Sequence, residues 1–475
     1  MKATKIAILV LGAMLVSPEL VNSLLFAQHE QHTQPQAPPA APREGPPPAK
    51  PSAPPLSLEE LEQMALANNP TLRQASAEIR AASGRARQAG LWPNPTVGYM
   101  GEEIRGGRSR GGQQGFFIEQ PIILGGKLGL SRKVFGQEKV QAEAESEEQR
   151  LRVINAVRLL YFRALAAQQT VELHQNLRRL AADAAETSHQ LFNAGQADQP
   201  DVLQAEVELE QNELALIEAR NRQQQVWQGL AAVVGKPQLP LTPLAGNLEE
   251  NLPELDAEKL LDDLLQKSPA VKIAQAGVTR AELALSRARR EPIPDLRLRA
   301  GLQQNRELIE PTGRPVGLQG FAEVGVQIPI FNRNQGNVEA AKADLERSQQ
   351  ELLRVALVLR ERFAGFFRNY ADARIAVARY RTAMLPRAEK AYQLYLARHR
   401  EMGAAYPQVL IAQRTLFQLQ TDYISALENL WTNSVALQGF LLTDGLEAPS
   451  RPGDLDRPVR ELNVPMGMGT AREER

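Results

Sequence analysis

The 475-residue chain has no cysteine and only five histidines. Disulfides, thiolate metal sites and a lipidation cysteine are therefore excluded, which suits an exported protein stabilised by size and assembly. Lys plus Arg and Asp plus Glu stand at 55 each, so no excess charge points to nucleic acid or to an acidic substrate. Long hydrophobic runs are also missing. The apolar run at residues 6–16 is eleven residues, too short to cross a bilayer as a helix. Preceded by Lys2 and Lys5 and followed by Pro18 and Ala27, it reads as a secretory signal, residues 1–27. There is no Ser-His-Asp arrangement and no glycine-rich phosphate loop, and His174, His189 and His399 stand apart on long helical runs. We expect no enzyme and no cofactor.

What the chain does have is a repeat. Pro70 recurs as Pro269, and Pro93 with Pro95 recurs as Pro292 with Pro294, each pair 199 positions apart. Around each set lie a short amphipathic run, a helical stretch ending at the double proline, two alternating segments, a very long helical run and a returning helix. Residues 56–254 and 255–443 thus read as two copies of one topology, and such symmetry constrains architecture before any chemistry is considered. Outside them, residues 28–55 are rich in Pro, Ala and Gln and read as a disordered leader. Residues 444–475 read as a flexible tail, because Pro449, Pro452, Pro458 and Pro465 stop any helix. His29 and His32 in the leader have a spacing that can hold a metal ion loosely, but a polar linker is the plainer reading.

Four segments alternate with period two. In 295–303, Leu296, Leu298, Ala300 and Leu302 share one face, with Arg297, Arg299 and Gln303 on the other. In 321–328, Ala322, Val324, Val326 and Ile328 oppose Glu323 and Gln327. The first copy offers 96–102 and 115–120, with Val97, Tyr99, Phe116 and Ile118 apolar. These make two hairpins, within about residues 95–123 and 295–330, joined through long exposed loops at 103–114 and 305–318. About nine residues per strand is the length of a tilted transmembrane β-strand. Each hairpin is followed by a helical hairpin, about residues 128–234 and 336–442, whose first arm of some 65 residues measures about 95–100 Å. In the second arms, Val202, Ala205, Leu209, Leu216 and Leu230 and their counterparts 207 residues on, Val409, Ala412, Leu416, Tyr423 and Leu437, keep the three-four spacing of a coiled-coil seam. Pro386 should bend the second long helix.

The residues leaving each hairpin carry a resemblance. Glu119-Gln120-Pro121-Ile122-Ile123-Leu124-Gly125-Gly126-Lys127 and Ile328-Pro329-Ile330-Phe331-Asn332-Arg333-Asn334-Gln335-Gly336 resemble the strand-to-helix junctions of the TolC-like outer membrane efflux family, most of all its heavy-metal branch. Ala67-Asn68-Asn69-Pro70 and Gln266-Lys267-Ser268-Pro269 are similar to the opening of each family repeat. The resemblance covers about residues 56–443. It implies a mixed α/β membrane protein, four strands per protomer joining in a trimeric twelve-stranded outer-membrane barrel continued by an α-helical tunnel. It further implies a periplasmic adaptor and an inner-membrane transporter of the RND type as partners, with heavy-metal cations as cargo. Four strands alone would leave two unpaired edges in lipid, so copies must combine, although a dimer would also reach eight strands.

On that reading Arg297, Arg299, Glu323 and Gln327 face the lumen, and Leu296, Leu298, Val324 and Val326 face lipid. The tips between the long helices, at 192–200 and 400–407, are where the resemblance places the channel mouth and the adaptor. The residues concerned are Gly195, Asp198, Asp201, Val202 and Leu203 in one tip, and Gly403, Pro407, Val409 and Leu410 in the other. The glycines also fit as helix C-caps and the aspartates as N-caps. Asp201 and Glu206 are the acidic residues nearest the mouth, since the second copy has Gln408 and Gln413 instead. Two other readings stay open: a multidrug or other small-molecule channel of the same architecture, and a periplasmic structural coiled-coil protein with a soluble sheet.

Overall fold

The structure is a computed structural model that describes residues 54–104, 112–309, 312–401 and 406–449. The expected signal peptide, the leader up to residue 53 with His29 and His32, and Gly403 lie outside these residues. The chain opens with α1 (Leu58–Asn68) and α2 (Pro70–Gln88), then β1 (Thr96–Glu102), β2 (Gln113–Ile122), α3 (Lys127–Asn193) and α4 (Gln199–Val234). The same order follows: α5 (Ala257–Lys267), α6 (Pro269–Arg290), β3 (Leu296–Ile309), β4 (Arg314–Val326), α7 (Gln335–Arg379), α8 (Leu385–Arg400) and α9 (Tyr406–Gln438).

Local chemistry sets the starts. Ser57 and Glu60 close a reciprocal capping box on α1, and Asn69 caps α2 by accepting from the Thr71 N–H, with Pro70 in the first turn where no N–H is needed. Asp256 caps α5 in the same way, accepting from the Glu258 N–H. The repeated prolines therefore mark helix starts and the breaks before β1 and β3.

The four strands form one antiparallel sheet in the order β1-β2-β3-β4. Pairing in the second hairpin runs further than the alternation showed. β3 continues to Ile309 and β4 starts at Arg314, so the expected 305–318 loop shrinks to residues 310–313. Beyond Gln303, Gln304, Asn305, Arg306 and Glu307 interrupt the apolar alternation of β3, and backbone bonds carry the pairing on through a register shift between Asn305 and Leu308.

Helix α3 has 67 residues, about 100 Å at 1.5 Å per residue, and packs against α2, α4, α6 and α9. Alanines 142, 156, 164, 166, 167, 181 and 185 are buried along it, which lets neighbouring helices approach closely. Of the expected seam, Val202, Ala205, Leu216, Leu230, Val409, Leu416, Tyr423 and Leu437 are buried. A central belt gathers Leu61, Val157, Tyr161, Leu230, Leu248, Phe363, Tyr370, Leu427 and Leu430 into one core. Higher up, buried Glu138 of α3 holds Arg280 of α6 at 2.7 Å and Arg85 of α2 at 3.2 Å, tying three helices with one carboxylate.

Two expectations are corrected here. The bend expected at Pro386 takes the form of a π-helical turn, Tyr380–Met384, in which the Leu385 N–H donates to the Tyr380 carbonyl. Proline has no N–H and crowds the carbonyl four residues back, and a wider turn just before it relieves both. The expected tail from 444 is docked in its first residues. Asn69 donates to the Gly445 carbonyl, Gln149 donates to the Glu447 carbonyl, and Arg152 pairs with Glu447 at 2.5 Å. Ahead of it, α9 stops at Gln438, so Phe440, expected in the seam, takes positive φ together with Leu441. Asn155 holds that turn by donating to the carbonyls of Gly439 and Leu442, each at 2.9 Å.

Candidate channel wall and helical tips

The sheet has two unlike faces because the register keeps like parities opposite one another. On one face Leu298 lies opposite Val324, Leu296 opposite Val326, Leu302 opposite Phe116, and Val97 opposite Ile118. Phe116 is 68% exposed and Val324 69%, so in this chain alone much of a mainly apolar face, interrupted by Gln120 opposite Leu298 and Gln114 opposite Gln304, is uncovered. Exposure on that scale, concentrated on one sheet face, marks a surface built to meet something apolar.

The other face is polar and charged. Arg299 lies opposite both Glu119 and Glu323 in the register, and its guanidinium sits 4.0 Å from the centre of the Phe117 ring. Arg297 reaches Glu119 at 3.3 Å, Gln303 donates to Gln113 at 2.8 Å, and Asn305 donates to Gln319 at 3.2 Å. Phe117 was not singled out in the sequence, although parity with Glu119 places it here. Gly98 makes room for it, since a Cβ there would come within 2.5 Å of the ring. Gln327 falls one residue past the end of β4.

At the first tip Gly195 has φ 69°, and the Gln196 and Gly195 N–H groups donate to the Leu191 and Phe192 carbonyls. That is the Schellman pattern, which satisfies the last carbonyls of α3 and gives the glycine a structural task. Asp198 stands at the N-cap of α4 without a side-chain bond, and Asp201 lies in the first turn, where its charge suits the helix dipole. Both aspartates are exposed. Glu206 is 3.0 Å from His189 across the α3–α4 hairpin. Arg414 of α9 bonds Glu208 of α4, and that bond holds the guanidinium above its ordinary value. Arg222 and Glu428 tie the same two helices again at 2.9 Å.

The tip side chains divide in an unexpected way. Val202, Val409 and Leu410 are buried at 7%, 3% and 9% exposure, whereas Leu203 is 53% exposed and Pro407 is exposed at the start of α9. The apolar pairs expected to form a rim are mostly spent on packing within the protomer. Heptad position decides this: 202 and 409 belong to the seam, and only the residue one step on from 202 turns outward. Burial also pushes the His174 imidazole below its ordinary value, leaving it neutral at pH 7. Among the described residues no group of three or more His, Asp or Glu is placed to hold a metal ion. Among them, too, no helix is long and apolar enough to cross a membrane.

The sequence pattern of the family described as outer membrane efflux protein matches residues 61–236 and 260–441, one span for each half of the fold. The chain belongs to this family. Over 422 residues it is 28% identical to the cobalt-zinc-cadmium resistance protein CzcC of Cupriavidus metallidurans, covering 88% of this chain and 95% of that one. It is also 28% identical to the nickel-cobalt-cadmium resistance protein NccC of Alcaligenes xylosoxydans xylosoxydans, covering 64% and 68%. Among solved structures, the outer-membrane channel OprN superposes with a TM-score of 0.68 at 18% identity, over 82% of this chain and 91% of that one. The outer membrane protein VceC of Vibrio cholerae gives 0.67 at 19%, over 82% and 97%. The protein is accordingly an outer membrane efflux channel component that extends into the periplasm, and its relatives are channel proteins rather than enzymes.

Proposed function

We propose that this protein is the outer-membrane channel of a tripartite efflux system and passively conducts heavy-metal cations to the exterior. Three copies join their sheets into one twelve-stranded barrel, with Leu296, Leu298, Val324 and Val326 toward lipid and Arg297, Arg299, Glu323 and Gln327 toward the lumen. The long helices form the periplasmic tunnel. The observation that carries this reading is the two-faced sheet with both edge strands, β1 and β4, unpaired, running directly into helices of about 100 Å. In lipid an open edge leaves unsatisfied backbone groups, so closure with other copies is required. A soluble periplasmic coiled-coil protein would instead leave Val97, Phe116, Leu302 and Val324 in water.

The partners in this reading are a periplasmic adaptor at the helical tips, through Leu203, Pro407 and the polar turn Gly195 to Asp201, and an inner-membrane transporter beyond it. Cargo is assigned through the metal-resistance relatives. Deleting the gene should sensitise cells to cobalt, zinc, cadmium or nickel more than to hydrophobic antibiotics. Unchanged metal tolerance together with new drug sensitivity would move the protein to the multidrug alternative.

A further inference from the structure

β1 and β3 begin, and β2 and β4 end, at one margin of the sheet. There α2 and α6 arrive and α3 and α7 depart. Exposed apolar side chains do not stop with the strand: past the end of β4, Ile328 and Ile330 are 68% and 61% exposed. Beside them Phe331 is 90% exposed, and Trp92, just ahead of β1, is 57% exposed. Just past the sheet, the margin thus carries a step of large exposed apolar side chains, two of them aromatic.

Charge at the same margin is one-sided. Two of its carboxylates are engaged internally, Asp295 with buried Lys127 at 3.0 Å and Glu291 with buried Arg287, which leaves Glu339 of α7 as the exposed acidic group there. Six exposed cations remain, Arg87, Arg132, Lys133, Arg289, Arg290 and Arg333, and none of them forms an ion pair among the described residues. Lumen-facing Arg297 and Arg299, by contrast, each have a glutamate. We propose that this margin is a lipid collar. Trp92, Ile328, Ile330 and Phe331 sit at the acyl boundary, and the six cations bind the phosphates of anionic phospholipids in the periplasmic leaflet. Amphipathic aromatics settle at that depth in membranes, and basic side chains beside it gain from an anionic surface. Continuity with the apolar face favours lipid over a soluble anion as the occupant.

The proposal rests on the apolar face meeting lipid, and the absence of cysteine gives a test that separates the two claims. Trp92→Cys, Phe331→Cys and Leu302→Cys are each spin-labelled in the full chain and reconstituted in phosphatidylcholine bilayers with and without phosphatidylglycerol. Power-saturation depths should place the label at 302 deep in hydrocarbon and those at 92 and 331 at the headgroup boundary. Native mass spectrometry of the same protein should show retained phosphatidylglycerol. The Arg289→Gln/Arg290→Gln/Arg333→Gln variant should retain less, by roughly fivefold per cation removed at low salt, with phosphatidylcholine unchanged. If the triple variant fails to assemble, Arg333→Gln should lose retention and Arg333→Lys should keep it. Equal phosphatidylglycerol retention by parent and charge variants overturns the collar. So do labels at 92 and 331 reached by neither lipid-borne nor aqueous relaxers, which would bury the step between copies. A label at 302 outside the hydrocarbon would defeat the membrane wall itself, and the collar with it.

Discussion

A positive charge placed on the apolar face of the sheet should cost stability according to its height. Strands rise about 3.3 Å per residue and tilt about 40° in such barrels, so each residue climbs about 2.5 Å. With an apolar band about 25 Å tall that starts near Leu296, the midplane falls about five residues on, beside Leu302, the nearest residue of the apolar face. Leu302 is 60% exposed and faces Phe116 across the ladder. Leu298 is only two residues above the margin. Leu302→Arg should then cost about 2–4 kcal/mol per copy and Leu298→Arg only about 0–1, because the latter's guanidinium reaches the interface. In a trimer the first penalty enters three times, about 6–12 kcal/mol, enough to abolish insertion. Gln303→Arg, next in sequence but on the polar face, serves as the matched control. The assay is folding from urea into lipid vesicles, followed by the trimer band on unheated gels. If Leu302→Arg inserts as well as Gln303→Arg, the assignment of faces is wrong.

Three further outcomes follow from other parts of the fold. Gly195→Val should strain the turn by roughly 1–2 kcal/mol at its positive φ. A Cβ there meets nothing. Trimers should therefore form while adaptor cross-linking falls, as it should for Leu203→Asp, and joint loss of trimer and transport would leave the tip a purely structural cap. Asn155→Ala removes two buried bonds that hold Phe440 and Leu441 at positive φ, so thermal stability should drop by about 2–4 kcal/mol, read by calorimetry. An unchanged midpoint would mean that the turn holds itself. Burial and the charge of Glu249 push the Tyr423 phenol up to about 12. Because its folded value lies above the ordinary one near 10, its contribution is fully present below pH 10 and fades as pH rises toward 12. Tyr423→Phe should flatten the stability loss in that window, and an unaltered alkaline profile would refute the assignment.

Much of the fold was legible because its signals are local. Strand parity in 296–302 and 321–326, the three-four spacing of α4 and α9, and the prolines that open α2 and α6 each depend on residues a few positions apart. The reading stopped where periodicity stopped. The polar run Gln303 to Glu307 interrupts the alternation of β3, so its pairing on to Ile309 and Arg314 was invisible. The π-helical turn before Pro386 was foreseen only as a bend, since the proline says that a bond is lost but not how the helix absorbs it. Phe117 was overlooked because an aromatic on a charged face breaks the simple pattern, and only Arg299 lying across its ring explains it.

The sequence by itself determined the duplicated order of elements, the two faces of each strand and the length of the long helices, for these follow from backbone geometry and the burial of apolar stripes. The tertiary structure alone decided which members of a stripe stay exposed. Val202 and Leu203 are neighbouring apolar residues, yet packing of α4 against α3 buries the first, while the second stays 53% exposed. It also decided that residues 444–449 dock, because Asn69, Gln149 and Arg152, hundreds of positions away, supply the donors. Long-range partners of this kind leave no local trace, since the chain must first be folded for them to meet.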